Sequence, residues 1–111
     1  MADFYGNVLG LAPIEETRID SWVEFDAGGA RLALHAIPDP LASRIEISSP
    51  PRAREENPVK LAFLVDDVER EQARMAALGI ELVRKPWGAC EGVDPEGNIF
   101  QICSDSTSDK P

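Results

Sequence analysis

The sequence predicts an α+β domain in which one supersecondary unit, βαβββ, occurs twice. The order of patterns in residues 59–103 is an apolar run, a helical pattern and three extended segments separated by turns. This segment matches the first third of the chain at a nearly constant offset, as Leu32 matches Phe100 and Leu34 matches Ile102. The length of 111 residues and a hydrophobic content of 43% suit one globular domain with its own core.

The second unit is predicted from local signals. Residues 61–65 form an apolar strand, and a helix follows from 68 to 78. Asp66 with Glu69 forms a capping box at the start of this helix, and Gly79 ends it in a left-handed conformation. Extended segments follow at 80–83, 90–93 and 99–103, with turns at 85–88 and 94–98 where proline and glycine occur together.

The first unit is shorter at its beginning. Apolar residues at positions 4, 5, 8 and 9 form a helical face that Gly10 ends, and 22–25 and 30–35 alternate as a hairpin. The counterpart of the strand at 60–65 falls before Met1, so the first module is predicted to lack its leading strand. The predicted modules are 1–37 and 58–104, with a proline-rich connector at 38–57 and a polar tail at 105–111. Within the connector we expect a short helical turn that starts at 39–40 and an extended segment at 45–47.

The charge and the absence of special segments exclude several classes of protein. Asp and Glu number 20 against 11 Lys and Arg, a formal net charge of −9, which opposes binding to nucleic acid and to anionic membranes. The excess of acid serves solubility or a preference for cationic ligands. No apolar run approaches the ~20 residues that cross a bilayer, and no basic-then-apolar pattern typical of a leader is found, so we expect neither a membrane span nor a leader. Two cysteines form no disulfide framework, so we expect a cytoplasmic protein.

Four stretches together carry a resemblance to a known family. They are Phe4-Tyr5-Gly6-Asn7-Val8-Leu9-Gly10-Leu11, Trp22-Val23-Glu24-Phe25-Asp26, Leu61-Ala62-Phe63-Leu64-Val65-Asp66-Asp67-Val68 and Asp94-Pro95-Glu96-Gly97-Asn98. In this order and spacing they are similar to the glyoxalase/bleomycin-resistance/dioxygenase superfamily, also called the vicinal oxygen chelate fold. The resemblance implies that two βαβββ modules form a cup-shaped mixed sheet. It also implies that enzyme members hold a divalent metal on the cup floor through His and Glu side chains.

The residues at the implied metal positions depart from that pattern. The histidine place at the start of the second unit's first strand is Lys60, and an ammonium group has no lone pair to donate. The last-strand glutamate place is Gln101, and its counterpart in the first unit is Ala33. The fourth place falls on the absent strand. We therefore predict no metal, no cofactor and no assigned catalytic residue.

Strand alternation predicts which side chains face the cup. Leu61, Phe63 and Val65 belong to the core, and so do Phe100 and Ile102, which leaves their neighbours for the ligand. If Lys60 faces the cup, Glu24 is a candidate partner for it, and anion binding becomes possible. The candidate ligand-binding residues are Trp22, Glu24, Arg31, His35, Lys60, Trp87, Gln101 and Cys103.

Each of these residues also has a simpler structural explanation. The two tryptophans can fill the core, and His35 can be an exposed strand residue rather than a hydrogen-bonding group. Cys90 and Cys103 can be small hydrophobic residues rather than reactive thiols. Lys60 can be an exposed or ion-paired residue rather than an anion site.

Two functions follow from the resemblance and the missing ligands. The first is metal-independent binding of a small organic molecule in the cup. The alternative is a lyase, isomerase or dioxygenase of the same superfamily, either metal-dependent or using His35. In both cases we expect a homodimer, because the missing leading strand leaves a sheet edge uncovered.

Overall fold

The computed structural model describes residues 1–57 and 59–104. Pro58, at the predicted start of the second module, and the predicted polar tail at 105–111 lie outside the described residues. The chain divides into two compact units between Ile47 and Ser48, inside the predicted connector. One sheet has three strands and the other has four, with helices in both units, so the predicted α+β class is confirmed.

The first unit begins with a helical segment and continues as a small antiparallel sheet. Its elements are a π-helical segment Phe4–Val8, β1 Ala12–Pro13, a 3₁₀ turn Glu15–Thr17, β2 Trp22–Asp26, β3 Arg31–His35 and α1 Asp39–Ala42. The first segment is wider than the α-helix that the spacing predicts, because Leu9 N donates to Phe4 O, five residues back, at 3.0 Å. Gly10 then takes φ +80°, as its predicted role at the end of this helix requires.

The three strands lie in the order β1-β2-β3, and both pairings are antiparallel. Phe25 of β2 is buried together with Phe4 and Tyr5 of the helical segment. The rings of Phe4 and Tyr5 meet edge to face with centroids 5.4 Å apart, a favoured aromatic geometry. The core of this unit is therefore aromatic.

The second unit contains a complete β-α-β-β-β sequence. Its elements are β4 Leu61–Leu64, α2 Val68–Ala77, β5 Val83–Arg84, β6 Cys90–Val93 and β7 Ile99–Cys103. The strand order is β4-β7-β6-β5, with β4 parallel to β7 and the other pairs antiparallel. Two parallel strands need a long connection between them, and here α2, β5 and β6 form the connection from β4 to β7.

Both ends of α2 are closed by hydrogen bonds that the sequence indicates, although one residue was assigned wrongly. Asp67, not Asp66, is the N-cap: its Oδ1 accepts from Arg70 N at 3.1 Å. At the other end Ile80 N donates to Met75 O at 2.9 Å, and Gly79 has φ +83°, as predicted.

Within the two described ranges, no helix has both the length and the apolar character needed to cross a membrane.

The two hairpins differ by one residue in their loops. In the first, Ala27 N donates to Ala30 O at 3.0 Å, and two glycines close the turn. In the second, Asp94 N donates to Asn98 O at 2.9 Å around a loop that is one residue longer. The offset between equivalent residues is therefore one residue smaller for β2 and β6 than for β3 and β7.

This shift changes which residues are equivalent. Glu24 lies opposite Ala33 in the first hairpin, and Glu91 lies opposite Gln101 in the second. Since Ala33 and Gln101 correspond in the repeat, Glu24 and Glu91 occupy equivalent positions. An alignment at constant offset would have placed Glu24 against Gly92 instead.

The second half of the predicted connector is fastened to the β6–β7 loop. Arg54 N donates to Gly97 O at 2.8 Å, and Arg54 Nε donates to Glu96 O at 2.8 Å. Gly97 has φ +88°, and a Cβ there would stand 2.3 Å from Arg52 O, so only glycine allows this approach. The predicted turn at 39–40 is present as α1, whereas residues 45–47 form no strand.

Candidate functional site

Strand alternation gives the second sheet one buried and one exposed face. Phe100 and Ile102 of β7 are fully buried, whereas Ile99, Gln101 and Cys103 are only half-buried. In β4, Ala62 and Leu64 are exposed, and Leu61 and Phe63 are half-buried. The predicted sides of both strands are therefore correct, since a one-residue slip would have exchanged the faces.

A cluster of three charged residues occupies the exposed face of this sheet. Glu91 lies on β6, and its Oε2 is 2.7 Å from the Nζ of Lys60, which reaches it from beyond the start of β4. Its Oε1 is 3.6 Å from the Nζ of Lys85, which follows β5. The side chain of Glu91 is 13% exposed, so this ion-paired residue is well shielded. We call Lys60, Lys85 and Glu91 the Glu91 cluster.

An open pocket of about 160 Å³ adjoins the Glu91 cluster. Lys85 and Glu91 form part of its wall. The other lining residues are Ala53, Glu55, Val83, Gly92, Val93 and Ile99. Most of these side chains are apolar, and the connector supplies one side of the pocket. Pockets of this composition, apolar with a few polar groups, are typical of small-molecule sites.

The first sheet carries a simpler version of the same arrangement. Glu24, the equivalent of Glu91, lies 3.6 Å from Arg31 and accepts a short hydrogen bond from Thr17 Oγ1. Beside this pair, the rings of Trp22 and His35 meet edge to face with centroids 5.4 Å apart. The structure thus brings these four candidate residues together on one face of the first sheet.

The expected pairing of Lys60 with Glu24 is wrong. Lys60 donates to Glu91 at 2.7 Å, and Glu24 is bonded to Arg31 and Thr17 within its own unit. The side chain of Lys60 is long enough to cross β7 on the exposed face, so the nearest carboxylate in its own sheet becomes its partner.

The remaining candidates in the second unit have different environments. Trp87 is half-buried in the turn between β5 and β6, and its buried Nε1 has no hydrogen-bond partner among the described residues. Gln101 lies between Ala62 and Glu91 in the sheet register. Cys103 is half-buried, with Sγ 3.9 Å from Phe63 O. That these residues bind a ligand stays a prediction.

The two thiols lie on opposite faces of the sheet. Cys90 pairs with the buried Ile102 and is itself fully buried, whereas Cys103 belongs to the exposed face. Burial raises the pKa of the Cys90 thiol, and the nearby Arg84 guanidinium lowers it by a smaller amount. Cys90 is therefore held as a neutral thiol.

The residues at the metal positions implied by the fold do not fit a metal ion. The ammonium group of Lys60 forms an ion pair and has no lone pair for a metal. Gln101 has a neutral amide, and the side chain of Ala33 has no atom that could coordinate a metal. Within residues 1–57 and 59–104, no three His, Cys, Asp or Glu side chains come together as a possible metal site.

Sequence reasoning missed Glu91 and Lys85. The signal for Glu91 was the extra residue in the loop at 94–98, which moves it opposite Gln101. Lys85 lies just beyond the short strand β5, and its distance from Glu91 depends on the twist and pairing of three strands. No local pattern encodes that distance.

The fold and these sites define a protein of the glyoxalase type. The family model of the glyoxalase-like domain matches residues 1–103, and the chain belongs to this family. No curated protein matches it.

Solved structures of the same fold include two that are 26% identical to this chain. A lactoylglutathione lyase from Agrobacterium tumefaciens has a TM-score of 0.62 and is matched over 93% of this chain and 81% of its own. A glyoxalase-related enzyme from Fulvimarina pelagi has a TM-score of 0.59, over 94% of this chain and 77% of its own. A glyoxalase/dioxygenase from Nostoc punctiforme has a TM-score of 0.70 at 20% identity, over 94% of this chain and 80% of its own, which shows the fold alone.

Proposed function

We propose that this chain binds a small organic ligand without a metal, on the exposed face of the second sheet. The observation that carries the proposal is the Glu91 cluster beside a pocket with mostly apolar walls. A shielded ion pair and apolar walls suit an organic molecule with one or two polar groups. Lys60 neutralises Glu91 at the place where enzymes of this fold carry a metal ligand.

A pair of bulky substitutions tests where the ligand binds. Val83 lines the pocket and is 56% exposed, so V83W fills the pocket with little disturbance of the fold. Leu64 is 66% exposed on the opposite edge strand of the same sheet, so L64W is the matched control. We expect V83W to abolish binding of fragments detected by ligand-observed NMR and L64W to preserve it.

Metal independence is tested in the same experiment. Fragment binding to the unmodified chain should be the same before and after treatment with EDTA. Elemental analysis of the purified protein should show no stoichiometric zinc, nickel, manganese or iron. Loss of binding on chelation would contradict the proposal, and so would a bound metal held by Lys60 or Gln101.

An enzyme is the second candidate, because a structure named as a lactoylglutathione lyase is 26% identical to this chain. In that case the chain would act as a lyase, isomerase or dioxygenase. His35, exposed on the first sheet beside Trp22, is the imidazole available for proton transfer. A panel of glutathione adducts and catechols tests this, and turnover that H35Q abolishes would establish it.

A homodimer is also proposed, on the evidence of the β3 edge. In the second sheet β7 is paired on both sides, and Val65 N donates to Cys103 O at 2.7 Å beyond β4. Its counterpart β3 is paired with β2 alone among the described strands, and open strand edges favour pairing with another chain. Sedimentation at micromolar concentration should show a dimer, and a monomer would refute it.

A further inference from the structure

The two lysines of the Glu91 cluster differ in how closely they engage the carboxylate. Lys60 Nζ is 2.7 Å from Oε2, which makes a charge-assisted hydrogen bond as well as an ion pair. Lys85 Nζ is 3.6 Å from Oε1, beyond the usual range of a hydrogen bond. Of the two lysines, Lys60 is therefore the one that neutralises Glu91 at close range, and Lys85 brings a second positive charge.

Lys85 carries that charge at the pocket wall. It is one of the lining residues, and its side chain is 33% exposed, so solvent and a ligand can reach it. Among the described residues its Nζ donates no hydrogen bond, although an ammonium group has three N–H donors. A negatively charged ligand group would use these donors.

The rest of the pocket indicates the size and charge of the part of such a ligand that it holds. A cavity of about 150 Å³ with apolar walls holds one benzene ring, and this pocket measures about 160 Å³. Val83, Val93 and Ile99 supply apolar contact for a body of that size. Glu55, exposed at the same pocket, repels a second negative charge.

We infer that the ligand is a small organic monoanion, a carboxylate on an apolar body of about the size of a benzene ring, and that Lys85 binds its carboxylate. This inference rests on the proposed function and specifies the ligand class for the same pocket. The overall charge of −9 does not favour an anion, and neither does Glu55 at the same pocket. The inference therefore rests on the ammonium group of Lys85, since Lys60 already neutralises Glu91 at 2.7 Å and distant acids are screened.

Three probes with the same ring and different charges test the inference. Benzoate, benzamide and benzylamine carry one negative, no and one positive charge, and each is titrated into the ¹⁵N-labelled full chain while amide shifts are followed. We expect benzoate to bind about tenfold more tightly than benzamide, since hydrogen bonds to charged groups are the stronger ones. Benzylamine should bind most weakly.

A matched pair of variants assigns the preference to one residue. K85M should lower the affinity for benzoate to that for benzamide and leave benzamide unchanged. R84M removes the same charge from the adjacent residue, which pairs with Cys90 in the register and lies 3.7 Å from Glu69. R84M should keep the tenfold preference, because Arg84 belongs to the other face of the sheet.

The outcomes separate this inference from the proposed function. If none of the three probes shifts residues around the pocket, the proposed function fails and the inference fails with it. If benzamide or benzylamine binds there as tightly as benzoate, or if K85M keeps the preference, the inference is overturned while the proposed function stands.

Discussion

The hairpin β2–β3 and the hairpin β6–β7 repeat one pattern, yet they are buried to very different extents. Leu32 and Leu34 on the inner side of β3 are half-buried, whereas their counterparts Phe100 and Ile102 are fully buried. The second hairpin is flanked by β4 and β5 and belongs to a unit with a ten-residue helix, α2. Among the described strands the first hairpin has only β1 beside it, and its unit contains a five-residue π-helical segment.

The difference teaches that an alternating pattern decides which side of a strand is apolar, but not how deeply it is buried. Depth depends on the neighbouring strands and on the helix that covers the sheet. The same contrast applies to the exposed faces. Within the described part of the chain, Glu24 has one exposed arginine as its ion-pair partner, whereas Glu91 has two lysines.

The largest difference in the free energy of unfolding is expected between variants of the two aspartates at the starts of the hairpin loops. Asp94 is fully buried, and its carboxylate accepts from Glu96 N, Asn98 N and Asn98 Nδ2, each at 2.9 Å. Asp26 is exposed and accepts from Gly28 N. D94A should lower the free energy of unfolding by about 3 kcal/mol, since it leaves buried donors without an acceptor. D26A should lower it by less than about 1 kcal/mol. Urea denaturation of both variants measures the contrast, and equal losses would contradict it.

The second prediction compares the loop glycines. Gly28 and Gly97 both have φ +88°, so alanine at either position is strained by about 1 kcal/mol. At Gly28 an added Cβ meets open space, whereas at Gly97 it would stand 2.3 Å from Arg52 O. G97A should therefore lower the free energy of unfolding by about 2 kcal/mol more than G28A does. It should also release the connector, which amide exchange at Arg54 would detect. Unchanged protection of that amide would contradict the second part.

The third prediction compares the equivalent carboxylates. E91Q removes a shielded charge with two partners, and we expect a loss of about 1 kcal/mol in the free energy of unfolding. E24Q acts on an ion pair whose arginine side chain is 61% exposed, so its effect should stay below about 0.5 kcal/mol. Thermal denaturation in low and high salt tests both, since the larger loss should persist in high salt.

The smallest effect concerns the thiols of the second hairpin. Cys103, on the exposed face, should react with a thiol reagent in the native protein, whereas Cys90 should react only on unfolding. Burial raises the pKa of Cys90, so the neutral thiol stabilises the folded state in full at any pH below the pKa that this thiol has in the unfolded chain. This stabilisation is lost as the pH rises through the pKa of Cys90 in the folded protein. C90A should remove the loss of stability at alkaline pH. Rapid reaction of Cys90 with the thiol reagent in the native protein would contradict its burial.

Much of the fold could be predicted because the signals are local. Gly10 and Gly79 end helices with positive φ, and alternation assigns Ile102 and Cys103 to opposite faces. The N-cap of α2 was missed by one residue because Asp66 and Asp67 are adjacent and chemically identical. The family could be recognised because such local signals occur in a specific order and spacing over nearly the whole chain.

The sequence by itself determined the two hairpins, their turns, the faces of β4 and β7, and which residue types stand at the metal positions that the resemblance implies, namely Ala33, Lys60 and Gln101. Only the tertiary structure decided the partners. Lys60 meets Glu91 across an intervening strand, and Arg54 fastens the connector to the loop at 94–98. These contacts join residues 31 and 42 positions apart. They depend on strand order and on one extra loop residue, which no periodicity in the chain reports.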